Sequence, residues 1–190
     1  GIFQGSVATL EAAAAALNFG RVDVAGPDGA WFGDRLTPAG KNALGVMEAN
    51  AIAVNLIRPP VSLLGDVLDS AKKPIMVTGL PAADAALLEK LKKNNALAVA
   101  SCDAVDVDGC VRQMNTLKDL VGKNNVLVSV GARKDRAAAT QKLFLAAVKA
   151  GWTKDELFAA AGQAAGRGGP GAAAANNLAR FGGAPGGRGF

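Results

Sequence analysis

Hydrophobic and polar positions change period repeatedly along this chain, and the clearest alternation lies between Leu36 and Gly79. Thr37 followed by Pro38 reads as a helix start, because a Thr side chain caps free N–H groups and Pro lacks an N–H to leave unpaired. Leu44 and Met47 fall at helical spacing, and Asn50 closes the helix. Ala51 to Ile57 is an apolar run of strand length that Pro59 and Pro60 stop. Val61, Leu64, Val67 and Leu68 mark a second helix, ending near Lys72 and Lys73. Pro74 to Thr78 is the next strand, with Gly79 at its end. Strands that read as apolar on both faces and alternate with amphipathic helices predict a parallel sheet covered by helices.

The same alternation extends in both directions. Ser6 caps a predicted helix running to Asn18, with Leu10, Ala13, Ala14 and Leu17 inward, and Arg21 to Ala25 alternates like a strand. The turn residues Gly26 to Gly29 precede a loop carrying Trp31 and Phe32. After Gly79 a helix is expected from Leu80 to about Lys93, a turn at Asn94 and Asn95, and a strand over 96–100. A loop from Ser101 to Gly109 leads to a helix from Cys110 to Val121, closed by Gly122. A strand over 125–130 follows, then a helix from Asp135 to Lys149 with Leu143, Phe144, Ala147 and Val148 inward. Thr153 and Glu156 have the spacing of a capping box for a short last helix ending at Gly162. Five strands, each followed by helical structure, predict an α/β fold of about five parallel βα units.

The central motifs resemble those of the zinc-dependent membrane (renal) dipeptidases. LTPAG at 36–40 matches that family's LTPFG, VNLIR at 54–58 its VDLSH, DSAKKP at 69–74 its SKAP, and VTG at 77–79 its strand ending in Ser-His. GIFQGS at 1–6 is similar to GIEGG, NVLVSVG at 125–131 to VGLGSD, and AVKAGWTKDELFAAAG to the family's last helices. The resemblance covers roughly residues 1–162. It implies a partial (β/α)₈ (TIM) barrel, because a complete one needs about 250 residues. It also implies that the family's metal ligands are replaced. Gln4 stands at the bridging glutamate, Arg58 and Gly79 at two histidines, and Gly131 at an aspartate. The family's first His-x-Asp ligands would precede Gly1. The chain contains no histidine. A hydrolytic zinc site needs imidazole, carboxylate or thiolate ligands, which Gln, Arg and Gly do not supply. No catalytic residue, metal or cofactor is therefore expected.

Composition refines this picture. The chain has 190 residues, is 50% hydrophobic and 19% charged, and carries a net charge of +5. Those values suit a globular core built on small side chains. The basic residues are scattered, without the block of five or six that marks a nucleic-acid arm, so a nucleic-acid partner is not expected. No apolar run is long enough to span a membrane. Beyond Gly162 the chain becomes a Gly- and Ala-rich tail, 163–190, with Arg167, Arg180 and Arg188 and no acidic residue. The expected organisation is thus a domain over 1–162 and a low-complexity tail.

The candidate sites outside the lost ligands are few. Asp103, Asp106 and Asp108 form an acidic loop at a strand end, where a hard cation could bind. Their spacing does not fit an EF-hand, and a solvated loop is the plainer reading. Arg58 can bind an anion or pair with an aspartate of that loop. Arg133 and Lys134 follow the last strand as a phosphate-reading pair or a solvated turn. Cys102 and Cys110 are either a disulfide or two free thiols. The expectation for function is a non-catalytic, dipeptidase-like structural or assembly subunit, paired with itself or with another protein. The alternatives are a metallohydrolase completed by a second chain and a basic protein that uses its tail on nucleic acid. The family resemblance leans to an exported protein, and no compartment is assigned.

Overall fold

The computed structural model describes residues 7–16, 21–25, 31–102, 106–130 and 136–162. These form one five-stranded, all-parallel sheet in the order β1-β2-β3-β4-β5, with seven α-helices among the described residues. The elements are α1 (Val7–Ala16), β1 (Arg21–Ala25), α2 (Pro38–Ala49), β2 (Ala53–Ile57), α3 (Val61–Ser70), β3 (Met76–Thr78), α4 (Ala85–Asn94), β4 (Leu97–Ser101), α5 (Val107–Val121), β5 (Val126–Ser129), α6 (Arg136–Lys149) and α7 (Lys154–Gly162). Each strand pairs with the next one in the chain, in the manner of a partial βα barrel. The expected fold class is therefore observed. No helix of the described residues is long and apolar enough to cross a membrane.

The helix starts show why these segments fold as they do. The Thr37 hydroxyl accepts from Gly40 N at 3.0 Å and donates to the Trp31 carbonyl at 3.0 Å, so one side chain caps α2 and anchors the preceding loop. Gly40 packs directly on that carbonyl, and a Cβ there would lie 2.0 Å from the Trp31 oxygen. Trp31 and Phe32, expected in a loop, are buried in the core, as is Leu36 beside them. The loop is also tied to α3. The Arg35 guanidinium donates to both Asp66 carboxylate oxygens, at 2.6 and 2.8 Å, and Leu36 N adds a third bond at 3.2 Å. Those contacts, Arg35 foremost, hold the Asp66 carboxyl below its ordinary range.

The segment between α3 and β3 is positioned from outside itself. Glu48 accepts from Lys72 N at 2.6 Å and Lys73 N at 3.1 Å. Asn94 accepts from Ile75 N and donates to the Lys73 carbonyl, both at 3.1 Å. At the end of the domain, Thr153 and Glu156 form the expected capping box: Thr153 N donates to Glu156 at 2.9 Å and Glu156 N to the Thr153 hydroxyl at 3.2 Å. The Thr153 N–H is the main reason that the Glu156 carboxyl sits below its ordinary range, with Lys118 and Lys123 adding to it.

Two helix starts and one helix face depart from expectation. α4 starts at Ala85 rather than Leu80, because Asp84 is its cap and accepts from Leu87 N at 2.8 Å. α5 starts at Val107 rather than Cys110, because Asp106 caps it through Gly109 N. In α6, Leu143 and Ala147 face the core, but Val148 is 47% exposed and faces out. One helical step of about 100° separates Val148 from Ala147, enough to turn it off a narrow buried stripe.

The core is unequal across the sheet. One large cluster fills the space between sheet and helices, with Val54, Leu56, Val77, Ala98, Val126 and Val128 from the strands and Leu64, Val67, Leu87, Leu91, Met114 and Leu117 from the helices. A separate small cluster on the opposite strand face holds Met76, Leu97, Val99 and Leu127, with Ala53 beside it. Alternate strand residues point to opposite faces, so the second cluster marks the inner face of the partial barrel.

Candidate functional site

The inner face carries a polar seam as well as the small apolar cluster. Asn55 is the buried polar residue of the described core, at 5% exposure. Its amide donates to Asp23 at 2.9 Å, and its carbonyl oxygen accepts from the Thr78 hydroxyl at 3.0 Å. Asp23 is also paired with Arg21, at 3.0 Å. The chain of contacts crosses three neighbouring strands: Arg21 and Asp23 on β1, Asn55 on β2, and Thr78 on β3. A buried amide needs such partners, since an unpaired polar group there costs about 1–3 kcal/mol.

Along the seam and up to the C-terminal ends of the strands runs a cavity of about 870 Å³. Ligand sites of parallel βα folds form at this end of the sheet. Met76, Val99 and Leu127 contribute apolar walls, and Arg58, Ser101 and Ser129 line it near the strand ends. Gln113 reaches it from α5. A larger groove, about 1160 Å³, lies at the opposite end between α3 and α4, lined by Asp69, Lys72, Lys90 and Lys93 among others. It is a solvated charged surface, and the Lys90–Asp69 ion pair at 2.6 Å accounts for part of its charge.

Arg58 and Gly79 meet at the mouth of the cavity. Arg58 has φ 49° and donates its N–H to the Thr78 carbonyl at 2.7 Å. Gly79 has φ 71°, a conformation that side chains other than glycine rarely adopt. A Cβ at position 79 would lie 2.9 Å from Arg58 Cγ. The two residues therefore fit one another as a pair. The expected contact between Arg58 and the acidic loop is not made with Asp106 or Asp108, and the Arg58 guanidinium has no ion pair among the described residues.

Two of the three aspartates of the acidic loop are described. Asp106 is the α5 cap and Asp108 lies in that helix's first turn, where a carboxylate favours the helix dipole. They serve helix initiation, and no cluster of metal-ligating side chains occurs among the described residues. Cys102 and Cys110 form a disulfide, with Cα atoms 5.3 Å apart, joining the end of β4 to the first turns of α5. Gln4, Gly131, Asp103, Arg133, Lys134 and the tail fall outside the described residues.

Asp23, Asn55, Thr78, Ser101, Ser129 and Gln113 were not singled out by the sequence reading. The strands read as apolar on both faces, and the structure corrects this. The available signal was one polar residue in each of the runs AVNLI, MVT, LAVAS and VLVS and two, Arg21 and Asp23, in RVDVA. Parallel pairing in sequence order places all of these on the inner face. No protein-family model and no curated protein sequence matches this chain.

Proposed function

We propose that this chain is a non-catalytic, dipeptidase-like partial barrel that serves as a structural or assembly subunit. The observation that supports the reading is the fit of Arg58 against Gly79. In the family the chain resembles, these two positions carry metal-binding histidines. Here a guanidinium occupies the first, and a guanidinium repels a divalent cation. The second has room for no side chain while Arg58 stays where it is. The pair is adapted to itself, as expected of a site released from metal binding. The assembly half of the reading follows from the sheet. β1 and β5 have no outer strand partner among the described residues, and strand edges of this kind favour contact with another protein surface.

The test has two arms. Purified protein dialysed against zinc should retain less than one ion per chain by elemental analysis and should not cleave dipeptides. Stoichiometric zinc together with hydrolysis would overturn the non-catalytic reading. Native mass measurement should show a homo-oligomer or a complex with another protein. A stable monomer at micromolar concentration would remove the assembly role.

A further inference from the structure

We propose that the inner-face cavity binds a small monocarboxylate with an apolar body, the carboxylate on Arg58 and the body against Met76, Val99 and Leu127. This goes beyond the assembly reading and does not depend on it.

The volume, about 870 Å³, is that of a small-molecule site. Among the described residues, the charged side chains that line it are Arg21, Asp23 and Arg58. Arg21 and Asp23 neutralise one another at 3.0 Å. Asp23 also accepts from the Asn55 amide, so its carboxylate already has two partners. Arg58 remains as a cation on the cavity wall with no ion pair among the described residues. Its backbone is fixed by the bond to the Thr78 carbonyl and by the close approach of Gly79. A guanidinium offers paired donors that match the two oxygens of a carboxylate.

The rest of the wall has two layers. Met76, Val99 and Leu127 are buried and apolar. Nearer the strand ends, the side chains of Ser101, Ser129 and Gln113 line the cavity and make no hydrogen bond among the described residues. A ligand with a charged head and an apolar body matches that order: head at the mouth, body on the walls. A zwitterion or a cation does not, because the one carboxylate that lines the cavity among the described residues is already paired.

The experiment is calorimetric titration of the full-length protein, in the assembly state in which it purifies, with sodium 3-phenylpropionate. 3-Phenylpropanamide, 3-phenylpropylamine and inorganic phosphate serve as comparison probes. Saturable binding of phenylpropionate is expected, with the amide, the amine and phosphate each at least tenfold weaker. Arg58→Met should weaken phenylpropionate at least tenfold, and Arg58→Lys should restore part of the loss. Ser129→Asp puts a negative charge at the same mouth without altering Arg58, and it should weaken binding at least tenfold as well. This second variant decides the matter if Arg58→Met does not fold. Absence of phenylpropionate binding, equal binding of the amine, or unchanged affinity in a folded Arg58→Met or Ser129→Asp protein overturns the proposal. Phosphate binding as tightly as phenylpropionate also overturns it, since the apolar body would then contribute nothing. None of these outcomes bears on zinc content or on native mass.

Discussion

The two faces of the sheet are built from the same strands yet do different work. The outer face is apolar in every strand, and helices α1 to α7 add to its cluster. The inner face has four buried apolar residues and a polar seam from Arg21 to Thr78. Burial of the first kind supplies most of the stability, because apolar area removed from water is the dominant favourable term. The second kind fixes positions: Asn55 is held from both sides and in turn registers β1 and β3 against β2. The lesson is that one face makes the sheet stable and the other is left able to meet a ligand or a partner.

Truncation should separate the faces most sharply. Leu64→Ala removes a fully buried side chain from the large cluster and should cost about 2–5 kcal/mol in denaturant unfolding. Leu97→Ala, in the cluster of four, should fall at the lower end of that range. Equal losses would show the two faces to be equally important for stability. Gly40→Ala comes next. Its Cβ would meet the Trp31 carbonyl at 2.0 Å, and relieving such overpacking costs about 1–3 kcal/mol. A neutral effect would mean that the loop over α2 yields freely.

Asn55→Ala tests the seam. It leaves Asp23 and the Thr78 hydroxyl each short of a partner, at about 1–3 kcal/mol. The denaturant midpoint should fall while the slope stays the same. Asn55→Asp should be worse at neutral pH, because it sets a second carboxylate beside Asp23. The smallest effect is expected at Glu156→Gln. Gln can keep the capping bond, so the change mainly removes charge, and at neutral pH the loss should stay under about 1 kcal/mol. Its signature is in the pH dependence. The folded Glu156 carboxyl titrates below its ordinary value of 4.5, so its contribution is complete above that pH. It is lost as pH falls through the lower folded value. Thermal melts at falling pH should therefore decline less steeply in Glu156→Gln than in the parent protein.

The order and type of the strands were readable because each apolar run is short and bounded by Pro, Gly or Asn, and helical spacing returns between them. The capping box at Thr153 was readable because both partners are local. Asp84 and Asp106 carry the same local signal, yet Pro81 and the cysteine at 110 drew the helix starts elsewhere. The seam was harder to see because nothing within β2 distinguishes Asn55 from a solvated residue. Its partners lie on neighbouring strands, Asp23 at a distance of 32 residues and Thr78 at 23. The fit of Arg58 to Gly79 was hidden for a related reason. The resemblance marked both positions as lost ligands, but only the positive φ values and the path of the arginine show that they occupy one another's space.

The strand order carries a kinetic consequence. Because every strand pairs with its immediate chain neighbour, no pairing must wait for a distant segment to be made. Contact order is kept low for a parallel sheet, and folding rates rise as contact order falls. A chain emerging from the ribosome can add one βα unit at a time to the exposed edge of the last. Such growth behaves almost as a one-dimensional array, in which each unit is stabilised by its two neighbours. Damage to β1 or β5 should then fray an end of the sheet, whereas damage to β3 would divide it in two.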